Sequence, residues 1–381
     1  MTKPVYLRIT TVPESLDILL EGQPEFLMNN GLDVHLASSG KHPKGLQNFK
    51  FYSIPFTRTI NPLADLKALL SIIKVIRNIR PEIIHSHTPK AGLISMLAGR
   101  ICGTKIRLHT VAGLPQDTAV GITKALLNTT EFITYACAKK IYFNSLRQME
   151  AQKKAFPLFR HKMQLILNGT SNGIDTDRFK PIKQNISLLK EYNLDQDAFT
   201  WMFVGRVHED KGINELIDAF IKFEEEHNGK SQLVIVGGMD NARNSINQTW
   251  LERIQEKTPS IRFVGFQSNI PDWLSLAHTL IFPSYREGFP NVPLQAACMG
   301  IPIIATDING CNEIIKDGRN GFLVPTKDSL SIYLKMLQIY KSKELRNSMG
   351  KQSLATIPIK YDRKEFHSAL LIEYQSLLAS N

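Results

Sequence analysis

What most restricts this chain is an alternation that runs through it twice. Short β-branched or apolar runs of four to six residues take turns with longer segments of helical period. In the first half the runs are Val5–Thr10, Asp33–Ser38, Glu82–His85, Lys105–Thr110, Lys140–Asn144 and Met163–Leu167, with helical spacing at Pro62–Asn78, Ala91–Arg100 and Gly121–Ala138. A polar, glycine-rich stretch from Asn168 to Asp175 interrupts the series. It resumes with Thr200–Val204, Gln232–Val236, Ile261–Val264, His278–Phe282, Ile301–Ala305 and Gly321–Val324, around helical patterns at Gly212–Glu226 and Asn291–Met299. Apolar strands that alternate with helices must hide both faces, so each series predicts a parallel sheet with helices on either side. The expected class is α/β, with two doubly wound parallel-sheet domains facing across a cleft. They are expected at residues 1–175 and 176–363, with the amphipathic segment 364–381 packing back on the first. Such sheets bind ligands beyond the C-terminal ends of their strands.

Length agrees: 381 residues exceed one core at about 150 residues per domain. Cys102, Cys137, Cys298 and Cys311 show no metal or redox spacing, which suits free thiols in a reducing compartment. Arg8, Glu14 and Asp17 break any secretory leader, and Lys67, Lys74 and Arg77 interrupt the most apolar segment, Leu66–Ile79. A cytoplasmic protein is expected. The net charge of +11 is lopsided, since residues 1–180 hold 24 Lys and Arg against 12 Asp and Glu, leaving 22 against 23 in the remainder. A basic half beside a neutral half points to an anionic partner for one domain, lipid or nucleic acid. Two clusters interleave cations with apolar residues: Lys67, Lys74, Arg77 and Arg80 among Leu66, Leu69, Leu70, Ile72, Ile73 and Ile76, and Lys153 through Lys162. Either is what an anionic bilayer surface attracts, though the first also fits a core helix with a charged outer face. No nucleic-acid recognition module is visible, so nucleic acid is not an expected partner.

Two loops in the second half carry chemistry. In Val204-Gly205-Arg206-Val207-His208-Glu209-Asp210-Lys211-Gly212 a strand ends and delivers two cations to the ligand side of its sheet, Arg206 as a fork and Lys211 as a point charge. Together they can hold a pyrophosphate; alone, Arg206 could equally pair with Glu209 or Asp210. In Arg286-Glu287-Gly288-Phe289-Pro290-Asn291-Val292-Pro293-Leu294-Gln295 a strand hands over to a helix. A helix start offers unpaired N–H groups and partial positive charge to a phosphate. Glu287 would repel that phosphate unless it faces something else, such as a sugar hydroxyl. The plainer alternative is a cap, with Asn291 at the N-cap position and Glu287 on the surface. His85 and His87 lie two apart on one side of an extended segment without a third ligand nearby, so no metal site is expected.

Jointly these loops, with Asn172-Gly173-Ile174-Asp175, Pro283-Ser284, Gly300-Ile301-Pro302 through Asp307 and Gly318-Arg319-Asn320-Gly321, resemble the retaining glycosyltransferases of family 4, strongly over residues 165–330 and more loosely before them. The resemblance implies the GT-B fold of two Rossmann-like domains, with a nucleotide-diphosphate sugar, UDP-linked by expectation, held mostly by the second. It implies that Arg206 and Lys211, beside Gly205, neutralise the donor diphosphate. The N–H groups of Phe289, Asn291 and Val292, after Gly288, would hold phosphate and sugar, and Glu287 would accept from sugar hydroxyls. It places His109 near the reacting sugar, where an ordinary strand-end histidine is the alternative. Position 295, often a glutamate that contacts the ribose in the family, is Gln295, a weaker acceptor. Thr10-Thr11-Val12-Pro13-Glu14-Ser15 stands where the family's glycine-rich first loop is expected. No cofactor or metal is implied, because the leaving phosphate itself takes the acceptor proton. The expected acceptor is a glycan or lipid-linked glycan in surface polysaccharide synthesis, with peripheral contact to the inner face of the cell membrane. A GT-B sugar-nucleotide epimerase and a non-catalytic sugar-nucleotide-binding subunit are the alternatives.

Overall fold

The computed structural model describes residues 3–380 apart from 58, 60, 115, 117–118, 228–229, 240–253 and 255–257. The chain divides into two compact units, Met1–Gly173 with Arg363–Asn381, and Ile174–Asp362.

The first unit is built on a parallel sheet of β1 (Val5–Thr10), β2 (Asp33–Ser38), β3 (Lys50–Ser53), β4 (Ile83–His87), β5 (Ile106–Val111), β6 (Lys140–Phe143) and β7 (Met163–Leu165), in the order β3-β2-β1-β4-β5-β6-β7. The two-residue period of a strand sorts its side chains. Leu7 and Ile9 of β1 go to one face, with Ile72 and Ile76 of helix Pro62–Ile79 and Ile94 of helix Pro89–Ile101. Tyr6 goes to the other, with Leu27, Phe366 and Leu370. Helix Arg363–Ala379 therefore covers this second face, and Tyr374 on it sets its ring 5.3 Å from that of Tyr6. Helix Pro62–Ile79 starts where Asn61 accepts a hydrogen bond from the Ala64 N–H at 3.1 Å with Pro62 as its first residue, a strong start signal.

The second unit repeats the plan with β8 (Phe199–Val204), β9 (Ser231–Val236), β10 (Ile261–Gly265), β11 (Thr279–Phe282), β12 (Ile303–Thr306) and β13 (Gly321–Val324), ordered β10-β9-β8-β11-β12-β13. Trp201 and Phe203 pack on Leu216, Phe220 and Phe223 of helix Ile213–Glu226. Met202 and Val204 pack on the opposite side with Leu294, Ile357 and Tyr361.

All six expected strands of each half are present, shifted by a few residues. The edge strand β3 has no counterpart among the expected strands, because Lys50-Phe51-Tyr52-Ser53 shows neither a buried run nor clean alternation. Nor do helices Leu146–Ala155, Ser329–Lys341 and Lys343–Tyr361, which open on capping Ser145, Asp328 and Ser342, have one among the expected helices. In both sheets the strand order reverses once, between β1 and β4 and between β8 and β11. Those reversals are where a doubly wound sheet leaves a crevice. No helix among the described residues is long and apolar enough to cross a membrane.

Candidate active site

Strands β8 and β11 are parallel neighbours, Trp201 opposite Thr279 and Met202 opposite Leu280, so they end side by side. Past Val204 the chain runs through Gly205 and exposed Arg206 to a short turn, Glu209–Lys211. Gly212 then takes a left-handed conformation, and a Cβ there would lie 2.1 Å from the Pro283 carbonyl oxygen. Only glycine lets this loop cross so close over the exit of β11. The crossing is locked by the Tyr285 N–H donating to the Asp210 carbonyl at 2.9 Å and by the Tyr285 hydroxyl donating to Glu215 at 2.6 Å.

The crossing brings Lys211 to Glu287. The ammonium donates to Oε1 of Glu287 at 2.5 Å, and the Ser284 hydroxyl donates to the same oxygen at 3.1 Å. Thr306 in turn donates to the Ser284 carbonyl, tying the loop to β12. Both charged side chains are mostly buried, at 16% and 20% exposure. A lysine has three N–H donors, so Lys211 can hold Glu287 and still offer two to an anion. Oε2 of Glu287 accepts no bond from Lys211 or Ser284.

Helix Asn291–Cys298 begins beside this pair. Asn291 is its first residue and not its N-cap, a correction to the capping alternative. Pro290 holds the cap position with extended backbone, and no side chain caps the helix. The proline side chain brings no acceptor and its nitrogen no N–H, so the N–H groups of Asn291 and Val292 point beyond the helix with no partner inside it. Gly310, left-handed as well, presses against this turn, since a Cβ there would be 2.8 Å from Cα of Phe289 and 2.6 Å from Cδ of Pro290. The result is a cavity of about 190 Å³ lined by Val204, Gly205, Arg206, Lys211, Phe282, Glu287, Pro290, Asn291 and Val292. Two cations and a helix start against one carboxylate make it an anion site.

The expected residues divide. Gly205, Arg206, Lys211, Glu287, Asn291 and Val292 come together around one cavity. Gly288, Phe289 and Gln295 do not line it. The Phe289 ring is buried against Tyr361 at 5.4 Å, so Phe289 anchors the loop. Gln295 is half-buried one turn beyond Asn291 and therefore on the same side of the helix. Ser284 and Thr306 stand in the motifs that carry the family resemblance, but without an expected role. Ser284 stands three residues before Glu287, the one local hint of its part.

The structure does not bring His109 to a strand end. Its side chain is buried within β5, Nδ1 lies 2.9 Å from the Ser86 hydroxyl, and the ring fills the space where Gly92 lacks a Cβ. Burial and the nearby Arg8 push its imidazole down to about 3. The residues that leave β5 at its C-terminal end are Ala112 and Gly113. His85 and His87 are likewise interior: His85 contacts the Tyr374 hydroxyl at 2.5 Å and Thr110 at 2.7 Å, and Nδ1 of His87 lies 3.2 Å from Arg8. Burial and then Arg8 hold both well below the ordinary histidine value.

The chain matches known glycosyltransferases in sequence. Residues 185–355 match the family model of the glycosyl transferases group 1, and residues 18–145 match that of the glycosyl transferase 4-like proteins. The chain is 31% identical to the capsular polysaccharide biosynthesis glycosyltransferase CapM of Staphylococcus aureus, over 97% of this chain and 96% of that protein. It is 24% identical to UDP-Gal:alpha-D-GlcNAc-diphosphoundecaprenol alpha-1,3-galactosyltransferase of Escherichia coli, over 86% of this chain and 84% of that one. Among solved structures, sucrose-phosphate synthase from Thermosynechococcus elongatus superposes with a TM-score of 0.81 at 18% identity, over 99% of this chain and 100% of that chain. That likeness is one of fold, the GT-B class of two Rossmann-like domains. Both relatives are named as glycosyltransferases, which supports that role and not the epimerase alternative.

Proposed function

The chain belongs to the family 4 glycosyltransferases and is a glycosyltransferase enzyme, and from that premise we propose that it moves a hexose from a UDP-sugar to a lipid-linked glycan with retention of configuration. One observation carries the donor assignment: Arg206, Lys211 and an uncapped helix start converge with Glu287 on one cavity at the switch point of the second sheet. At about 190 Å³ it is smaller than the ~300–1,000 Å³ usual for a whole ligand. Its size suits the diphosphate and the adjoining sugar, with the nucleoside extending past Asn291 toward Gln295.

The chemistry follows from charge. As the bond from the anomeric carbon to the phosphate oxygen lengthens, negative charge gathers on the diphosphate. Arg206, Lys211 and the N–H groups of Asn291 and Val292 stabilise it there, which is where fixed donors help most. Glu287 accepts from hydroxyls of the transferred sugar and orients it. The acceptor hydroxyl attacks on the face the diphosphate leaves, and its proton passes to the departing phosphate oxygen. The products are the glycosylated acceptor and UDP, with protein cations in the role a metal ion would otherwise fill. The E. coli relative, named for a UDP-galactose donor and a diphosphoundecaprenol-linked acceptor, supports both substrate classes. The basic first half favours work at an anionic membrane face inside the cell.

The test is a donor screen. Radiolabelled UDP-, GDP- and ADP-hexoses are incubated with the protein and a detergent-dispersed bacterial lipid extract. Label entering the lipid fraction from a UDP-sugar alone is the expected result. Transfer from a GDP- or ADP-sugar would overturn the donor, and binding without turnover would revive the non-catalytic alternative.

A further inference from the structure

Helix Gly121–Cys137 of the first unit is amphipathic in the reverse sense. Its buried residues include Glu131, Thr134 and Tyr135, while Ile122, Leu126, Phe132 and Ile133 are 89%, 43%, 47% and 37% exposed. With exposed Ala125 and Ala136 they fall on one stripe at helical spacing, and no charged residue interrupts it. Val120, just ahead of the helix, is 82% exposed. A water-facing helix normally shows the opposite pattern, and an apolar stripe of this extent marks an interaction site.

What borders the stripe indicates its partner. Segment Pro157–Lys162 packs on the helix, its Phe159 ring 5.1 Å from that of Phe132, while Lys162 donates to the carbonyls of Tyr135 at 2.9 Å and Ala138 at 2.8 Å. It presents Leu158, 66% exposed, beside exposed Arg160 and Lys154. Residues 119–163 contain eight Lys and Arg against two acids. Of those acids, Glu131 is buried and Glu150 is paired with Lys153 at 2.9 Å. A second helix of the same unit, Pro62–Ile79, exposes Leu63, Leu66 and Leu70 among Lys67, Lys74 and Arg77. In a parallel sheet each crossover helix begins where the preceding strand ends. Leu63, Leu66, Val120 and Ile122 thus stand at the end of the unit where its strands finish.

We propose that the stripe of helix Gly121–Cys137, with Leu158 and the rim formed by Lys154 and Arg160, seats the first unit on an anionic lipid surface. The helix lies in the plane of the interface with its stripe among the acyl chains and the cations at the headgroups. A second copy fits poorly, because a two-fold contact would set this cationic rim against itself. The proposal rests on the lipid-linked acceptor reading and names how the enzyme meets that substrate.

Flotation tests it, with vesicles of phosphatidylglycerol and phosphatidylcholine against phosphatidylcholine alone, at low and high salt. The protein should float with the anionic vesicles and less so in salt. Removing each apolar anchor should weaken partitioning about tenfold, so Ile122→Asn with Leu126→Asn should nearly abolish it. Ile359→Asn, at an 80% exposed site of the second unit, should leave it unchanged. The charge pair Lys154→Glu with Arg160→Glu supplies an independent arm should the apolar variant misfold. Absence of flotation, variants that float like the parent, or a dimer that Ile122→Asn dissolves would each overturn the proposal. Transfer to detergent-dispersed lipid extract reports separately: flotation lost with transfer kept supports docking, and flotation without any transfer supports docking while overturning the acceptor reading.

Discussion

The two sheets share one strand order and so one kind of crevice, yet their crevices are finished in opposite ways. In the first unit Thr11 and Thr88 seal it. Their hydroxyls lie 2.7 Å apart, the Thr11 N–H donates to Thr88, and the Thr11 hydroxyl accepts from Ala91 in the first turn of helix Pro89–Ile101. Thr88 adopts a left-handed backbone to make this closure. Neither helix is capped by its own N-cap side chain, but in the second unit no neighbouring hydroxyl stands in among the described residues, and the cavity beside the helix collects Arg206, Lys211 and Glu287. An anionic ligand therefore has one place to go: a helix start satisfied by the protein's own hydroxyl has little left to offer, and one left open has a site.

The largest expected effect tests the open crevice. Lys211→Ala removes a fixed donor to the leaving diphosphate and should lower kcat about 10³-fold, or ~4 kcal/mol of barrier. The chain still folds, with the second unit less stable because mostly buried Glu287 loses its counter-charge and keeps Ser284 as a donor. Near-parental kcat at saturating donor would take Lys211 out of the mechanism.

The next separates the units by acid. His85, His87 and His109 of the first unit are buried neutral, whereas in the second only His278, among the described residues, is shifted down, again by burial. Their folded values lie below the unfolded one, so the unfolded chain binds more protons and stability falls as pH drops below 6.5, continuing to about 3 for His109. Glu131 opposes them: burial raises it to about 7, so it adds stability as pH falls from 7 toward 4.5. Three groups against one leave a net loss of stability as pH falls from 6.5 toward 4.5. Amide exchange at pH 7 and 5.5 should show the first unit opening first. Loosening of the second unit ahead of it would reverse the comparison.

Gly212→Ala should cost the second unit about 2 kcal/mol and weaken donor binding, because the new methyl meets the Pro283 carbonyl in a left-handed conformation. Calorimetry and donor titration would read both, and unaltered binding would show that the loop crossing is dispensable. Smallest is Thr11→Val, which keeps the shape and deletes the sealing hydroxyl. The first unit should lose about 1 kcal/mol with donor affinity unchanged. A donor that then bound the first unit would show that the seal alone distinguishes the two crevices.

Much of this was legible in the chain because it depends on local order. Strand runs, crossover helices and the sheet edge to which Arg206 and Glu287 belong follow from periodicity and strand-to-helix handover, each decided within a few residues. Gly205-Arg206, Lys211 and Glu287 could therefore be named in advance. The short edge strand Lys50–Ser53 could not, because an edge needs burial on neither side and leaves no pattern. His109 departs from its expected place for a related reason. Sequence places it near a strand end, but its direction was set by alternation along β5 and by the gap over Gly92, which only packing reveals.

The class of fold, the two series of strands, the basic first half and the anion-ready residues of the second are written in local residue order. Tertiary structure decided which of those residues meet. Lys211 and Glu287 are 76 positions apart and touch only because Gly212 lets one loop cross the exit of another strand. It also decided that Pro290 and not Asn291 precedes the helix, that the paired histidines are interior, and that helix Gly121–Cys137 turns its apolar stripe outward. A periodic pattern shows that a helix has two faces. Which face is covered depends on what folds against it.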